Sequence, residues 1–152
     1  MTGDRKTAAY SPASAIETQG VLSPDGHWLA YTSDLSGRFE VYVQSFPKPG
    51  VRIQVSPGGG HSPRWRRDGK ELFYLTPNGT LTAVPVRAGE PPECGAPVAL
   101  FQFNTVSQGS VPRLLPEYDV TSDGQRSIVS VVVRRNDASI HVLLNWPALL
   151  TK

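Results

Sequence analysis

Three Asp-Gly pairs constrain this chain more than any other feature, at Asp25-Gly26, Asp68-Gly69 and Asp123-Gly124. Asp-Gly favours a tight reversal, because glycine takes positive φ without a steric cost and the short carboxylate accepts backbone N–H bonds. Each pair is followed by aromatic or β-branched residues. These are Trp28-Leu29-Ala30-Tyr31, then Glu71-Leu72-Phe73-Tyr74-Leu75, then Ile128-Val129-Ser130-Val131-Val132-Val133. A second reversal and a second strand-like run come next in every copy. In the first copy that run is Phe39 to Phe46, with Phe39, Val41, Val43 and Ser45 on one face and Glu40, Tyr42 and Gln44 on the other. This is the period of two expected of a pleated strand.

A short strand also precedes each Asp-Gly pair, at 19–22, 63–65 and 118–120, and a fourth closes the first two copies at 52–55 and 97–101. Four antiparallel strands recurring every forty-odd residues predict the blades of a β-propeller. An ordinary β-sandwich also has short strands with regular turns, but it does not call for the same turn chemistry in successive units. The predicted fold is therefore all-β, with three four-stranded antiparallel blades forming half of a six-bladed propeller. One domain covers 1–152. An N-terminal strand segment spans 1–15, the first blade 16–57, the second 58–103, and the third, lacking its last strand, 104–152. The Gly-, Pro- and Ser-rich stretches 88–97 and 104–116 read as loops, and Gly58-Gly59-Gly60 as a flexible connection. Little helix is expected, since no stretch keeps a 3.6-residue apolar period and Pro12 interrupts the one candidate, 8–18.

The stretches SPDGHWLAYTSDLSGRFEVYVQSFP, PRWRRDGKELFYL and YDVTSDGQRSIV resemble the TolB-like, WD-repeat-related propeller repeats of bacteria. With the ending HVLLNWPALL, their order resembles the C-terminal propeller half of bacterial proteins in which a serine/threonine kinase or a regulator-like domain precedes a membrane span. The resemblance covers nearly the whole chain and implies an interaction surface with varied partners. The second and third copies depart from Ser-Pro-Asp-Gly, with Arg66-Arg67 and Thr121-Ser122 before the Asp-Gly pair. Pro24 is therefore not a required element of the repeat.

Chemistry-bearing residues form no recognisable catalytic pattern. His27, His61 and His141 are the only histidines, and no HExxH or Cys-His pairing accompanies them, so no zinc site is expected. No Gly-x-Ser-x-Gly elbow singles out a nucleophile, and neither a glycine-rich kinase loop nor His-Arg-Asp is present. Asp25, Asp68 and Asp123 recur singly, whereas calcium takes six to eight oxygen ligands. Asp25, Gly26, Asp68, Gly69, Asp123 and Gly124 are thus structural turn positions, and no catalytic, cofactor-binding or metal residue is assigned. Gly58-Gly59-Gly60 lacks the Lys-Ser/Thr of a phosphate loop. Arg64, Arg66, Arg67, Arg134 and Arg135 read as solvated turn arginines, and a net charge of +2 gives no reason to expect nucleic acid. Trp28, Trp65, Phe73, Tyr74 and Trp146 read as packing between blades.

The single cysteine, Cys94, has no partner for an intramolecular disulfide. No run reaches the roughly 18 apolar residues of a membrane span, and the N-terminus has no apolar core of signal-peptide length. As written, the chain is expected to be cytoplasmic, or extracytoplasmic as a piece of a membrane-anchored parent. The expected function is a non-catalytic binding or scaffold module for a protein or peptide, using loops such as 46–50 and 102–116. Other readings are the sensory, ligand-binding propeller of a kinase or regulator, and the accessory propeller of a peptidase. Three blades do not close a ring. The missing half is expected from a second copy related by a two-fold axis, each N-terminal strand filling the other's third blade, or from further blades of a longer parent.

Overall fold

The computed structural model describes residue 10, residues 14–104 and 117–131, and the backbone of 141–144. The described residues contain strands, turns and bends and no helix. β1 (Glu17–Leu22), β2 (Trp28–Ser33), β3 (Glu40–Ser45) and β4 (Arg52–Gln54) form an antiparallel sheet in chain order. β5 (His61–Trp65), β6 (Glu71–Leu75) and β7 (Thr80–Arg87) begin the second sheet. The free edge of β7 is shared by β8 (Glu93–Cys94), which pairs with Val86 and Arg87, and β9 (Val98–Gln102), which pairs with Thr80 to Ala83. β10 (Tyr118–Val120), β11 (Arg126–Val129) and β12 (His141–Leu144) form the third sheet.

These are successive propeller blades, joined through their faces. The middle blade shows why. In β6, Leu72 and Tyr74 join Ala30, Val41, Val43 and Val55 of the first blade in one core, while Phe73 and Leu75 join Tyr118 and Val129 of the third in another. β7 divides the same way, with Val84 and Val86 toward the first blade and Leu81 and Ala83 toward the third. A period of two therefore sends apolar side chains to both sides, and a sheet of this kind needs a neighbour on each face.

The three Asp-Gly reversals share one set of bonds. The glycine N–H donates to the carbonyl three residues earlier: Gly26 to Ser23 at 2.9 Å, Gly69 to Arg66 at 2.9 Å, and Gly124 to Thr121 at 2.8 Å. The glycines have φ of 74°, 73° and 70°, where an L side chain is strained. The first residue of each turn also donates its N–H across the hairpin, to the carbonyls of Trp28, Glu71 and Arg126.

Two expectations require correction. The 88–97 stretch is not loop throughout, because Glu93 and Cys94 form β8; a two-residue ladder between prolines leaves no periodicity to read. The Gly58-Gly59-Gly60 connection is not a slack tether either. Gly59 has φ 96° and donates its N–H to Glu40 Oε2 at 2.9 Å, and Gly60 donates to the Phe39 carbonyl at 3.0 Å. A Cβ on Gly60 would stand 2.7 Å from Ser56 and 2.9 Å from Tyr74.

Glu40, fully buried, organises this junction. Its Oε2 also accepts the Ser56 hydroxyl at 2.5 Å, and its Oε1 accepts Arg38 Nε at 2.6 Å. Ser56 in turn accepts the Val41 N–H at 2.7 Å. The linker is thereby bound back onto β3 before it enters the second blade.

Replacing Phe73 by Ala is expected to cost about 3–5 kcal/mol in urea unfolding, the range for a buried aromatic truncated in a core. Glu40→Ala leaves the Ser56 hydroxyl and the Gly59 N–H without an acceptor, at roughly 1–3 kcal/mol each. Arg38 is 59% exposed, and loss of its ion pair adds little. The same unfolding experiment should rank Glu40→Ala close to Phe73→Ala and well above Arg38→Ala.

Candidate binding cleft between the first two blades

The first two Asp-Gly turns lie side by side at one end of the sheets, and a cleft of about 820 Å³ opens beside them. One wall is Ser23 to Asp25 with His27 and Trp28 from the first blade. The other is Trp65, Asp68 to Lys70, and Val86 to Glu90 with Pro92 from the second. Both indoles are half-buried and pack against the edge of the first core. Trp65 Nε1 donates to the Val21 carbonyl at 3.3 Å, and the Trp28 N–H donates to Ser23 Oγ at 2.9 Å. The tryptophans assigned to inter-blade packing therefore do that and also line an open cleft.

Charges of both signs surround this aromatic strip. Asp25 accepts the Ser23 hydroxyl at 2.5 Å and the His27 N–H at 3.1 Å, and its pKa is lowered, chiefly by the Ser23 bond. Asp68 is gripped by Arg66, Nε to Oδ1 at 2.6 Å and the second guanidinium nitrogen to Oδ2 at 2.8 Å. That pair holds the Asp68 carboxyl down to about 2. Both turn carboxylates are ionised at neutral pH, and their oxygens are engaged within the turns. Lys70, Arg87 and Glu90 are exposed around the mouth of the cleft.

The third turn is built alike, with Asp123 accepting the Thr121 hydroxyl and the Gln125 N–H, and its carboxyl held low mainly by Thr121. It seats directly on the second blade. A Cβ on Gly124 would meet Arg66 Cδ at 2.8 Å and Phe73 Cζ at 3.4 Å.

The other singled-out residues disperse. His27 is exposed at the cleft, His61 is buried at the start of β5, and the side chain of His141 lies outside the described residues. Arg66 is committed to Asp68 and Glu71, and Arg64 donates to the Pro63 carbonyl. Trp146, Arg134 and Arg135 lie outside the described residues. Among the described residues no group of three or more His, Cys, Asp and Glu side chains is placed to hold a metal ion, and no helix is long and apolar enough to cross a membrane. Of the two loops expected to form one surface, 46–50 lies at the cleft end, where the Phe46 N–H donates to the His27 carbonyl at 2.8 Å. Gln102 and Phe103 lie at the opposite end, donating to the carbonyls of Asn78 and Gly79. Residues 105–116 lie outside the described residues.

A polar network ties the first strands together away from the cleft. Gln19 and Ser62, both at φ 57°, occupy matching positions in β1 and β5, where the pairing registers slip. Gln19 accepts the Ser62 N–H at 2.7 Å and donates to Ser62 Oγ at 3.0 Å, and the Tyr118 hydroxyl donates to the Ser62 carbonyl at 2.7 Å. Ser62 Oγ lies 3.1 Å from His61 Nδ1, and the buried Glu117 carboxylate lies 3.9 Å from the same nitrogen.

No protein-family model matches the chain, and no curated protein matches it. Its fold is shared with TolB from Acinetobacter baumannii, with a TM-score of 0.62 and 17% identity over 90% of this chain and 31% of that one. It is shared also with an oligogalacturonate lyase from Vibrio parahaemolyticus, with a TM-score of 0.54 and 15% identity over 79% of this chain and 31% of that one. At such identities the likeness establishes the fold, and this chain spans about a third of either neighbour. The three sheets are blades of a β-propeller fold.

Burial lowers the His61 pKa, opposed by the nearby Glu117 charge. A histidine kept neutral by folding binds fewer protons than in the unfolded chain, so its contribution is intact above the ordinary value near 6.5 and is lost as pH falls through the lowered one. Urea midpoints measured between pH 7.5 and 5 should fall on acidification, and His61→Gln should flatten that dependence.

Proposed function

We propose that this chain is a non-catalytic propeller module that binds a protein or peptide segment in the cleft between its first two blades. The observation that carries this reading is the cleft itself, with Trp28 and Trp65 on its two walls and the exposed Lys70, Arg87 and Glu90 around them. Aromatic surface supplies contact area at low entropic cost, while charges of both signs suit a polar chain better than a polyanion. The carboxylates of Asp25 and Asp68 are occupied by their own turns, which supports a recognition role rather than acid–base catalysis. The resemblance of the repeats to propeller halves of bacterial kinases and regulators supports a place in signalling, with any catalytic domain outside these residues.

Peptides selected from a randomised display library should shift the indole N–H resonances of Trp28 and Trp65. Their affinity should drop roughly ten-fold or more in the Lys70→Ala/Arg87→Ala double variant, both positions being exposed. Shifts confined to the 76–80 turn at the other end would place the site elsewhere. Because one fold neighbour is an oligogalacturonate lyase, oligogalacturonate should be incubated in parallel. Formation of unsaturated product would replace the binding reading with an enzymatic one.

A further inference from the structure

Most of the hydrogen-bond acceptors in the cleft between the first two blades are already committed. Ser23 Oγ accepts the Trp28 N–H at 2.9 Å and donates to Asp25 Oδ1 at 2.5 Å. The same Asp25 oxygen accepts the His27 N–H at 3.1 Å. Both oxygens of Asp68 are held by Arg66, and Oδ1 also accepts the Lys70 N–H at 3.0 Å. One donor is committed as well, since Trp65 Nε1 donates to the Val21 carbonyl at 3.3 Å.

The side-chain groups left over are mainly donors. Trp28, Lys70 and Arg87 all line the cleft. Among the described residues, the Trp28 indole N–H, the Lys70 ammonium and the Arg87 guanidinium make no hydrogen bond or close ion pair. Lys70 and Arg87 are exposed, and the Val86 N–H, donating to the Lys70 carbonyl at 2.8 Å, sets them at neighbouring backbone positions on the second-blade wall. Two side-chain acceptors stand against these three donors, the second oxygen of Asp25 and the exposed Glu90. The exposed His27 ring can serve in either sense.

This balance discriminates between kinds of peptide. An ordinary extended segment brings one N–H and one carbonyl per residue, and a site that reads its backbone supplies partners for both. A proline-rich segment brings carbonyls and lacks the N–H groups. In the polyproline II conformation those carbonyls make no internal bonds, and the fixed φ lowers the cost of ordering the segment. Proline rings also seat on aromatic surfaces, which Trp28 provides on one wall and Trp65 on the other.

We infer that the segment bound in the cleft is proline-rich and adopts polyproline II. Its rings pack against Trp28 and Trp65, and its carbonyls accept from Trp28 Nε1, Lys70 and Arg87. This inference rests on the cleft binding a peptide and narrows that reading to one class of chain.

The probe is acetylated, amidated decaproline, which carries no charge, titrated into the isotope-labelled full chain. A proline-free Gly-Ser peptide and a proline-free acidic peptide of the same length are titrated in parallel. Decaproline should shift both indole N–H resonances saturably, with Trp28 moving downfield as its proton enters a hydrogen bond, and neither control should do so. Trp28→Phe keeps an aromatic ring but removes the N–H, and should weaken decaproline binding, followed at Trp65, by about three- to ten-fold. Lys70→Ala, at an exposed position away from the core, should weaken it by about three-fold and serves where the Trp28 variant fails to fold. Shifts of both indoles by the acidic peptide and not by decaproline would overturn this inference and leave peptide binding in the cleft standing. Decaproline affinity unchanged by either substitution would overturn it in the same way. Failure of every peptide, library-selected ones included, to shift either indole would overturn both readings.

Discussion

The structure depends on a sheet that is apolar on both sides. Phe73, Leu72, Leu75, Leu81 and Val84 are all fully buried in the second blade, yet they divide between two cores because successive strand residues face opposite ways. No single packing partner covers such a sheet. A helix or one further sheet would leave half of these side chains in water, at about 1.5–3 kcal/mol for each large residue. Stacking identical units is the solution that satisfies each face with the same kind of surface.

Stacking alone does not set the direction in which the chain passes from one blade to the next. That is the task of polar groups at the junctions. Glu40 sits in a central strand, on a residue type seldom buried without partners. Its carboxylate is satisfied by Ser56, Gly59 and Arg38, all in or beside segments entering or leaving the first blade. In the first strands Gln19 plays the corresponding part toward Ser62, accepting its N–H and donating to its hydroxyl where both strands slip register, while the Tyr118 hydroxyl donates to the Ser62 carbonyl. Apolar burial supplies the larger share of the stability. These bonds decide which neighbouring arrangement is adopted, since a shifted blade would bury Glu40 or the Ser62 N–H without a partner.

Much of this was legible in the residues. The Asp-Gly pairs marked three reversals that share hydrogen bonds and glycine dihedrals, and the strands beside them followed from alternation. What escaped was whatever depends on one blade meeting another. Alternation places Glu40 on one strand face with Tyr42 and Gln44 but says nothing of its partners, and only the linker of the same blade folding back makes it a buried acceptor. Gly58-Gly59-Gly60 reads as slack for the same reason. β8 is two residues long and is held by β7 rather than by any tendency of its own. The 46–50 and 102–116 stretches read as loops of one surface, but the first leads into a fourth strand and the second leaves one, so 46–50 and 102–104 lie at opposite ends.

The cleft follows from the same geometry, by exception. At the junction of the second and third blades, the small Gly124 lets the turn descend onto Arg66 and Phe73, so that this end is closed by backbone. At the first junction the matching Gly69 meets only Pro24, at 3.9 Å. The bulk there is two indoles standing at the edge of the core, with the 88–92 segment forming the far wall. A repeat that keeps its turn bonds constant can thus vary what fills the space between turns. Arg66 and Glu71 fill one junction with an ion pair, and Trp28 and Trp65 leave the other open. The conserved geometry of the turns and the distinct character of each junction are therefore separable, because the turn bonds use backbone and Asp-Gly, while the junctions use the variable residues beside them.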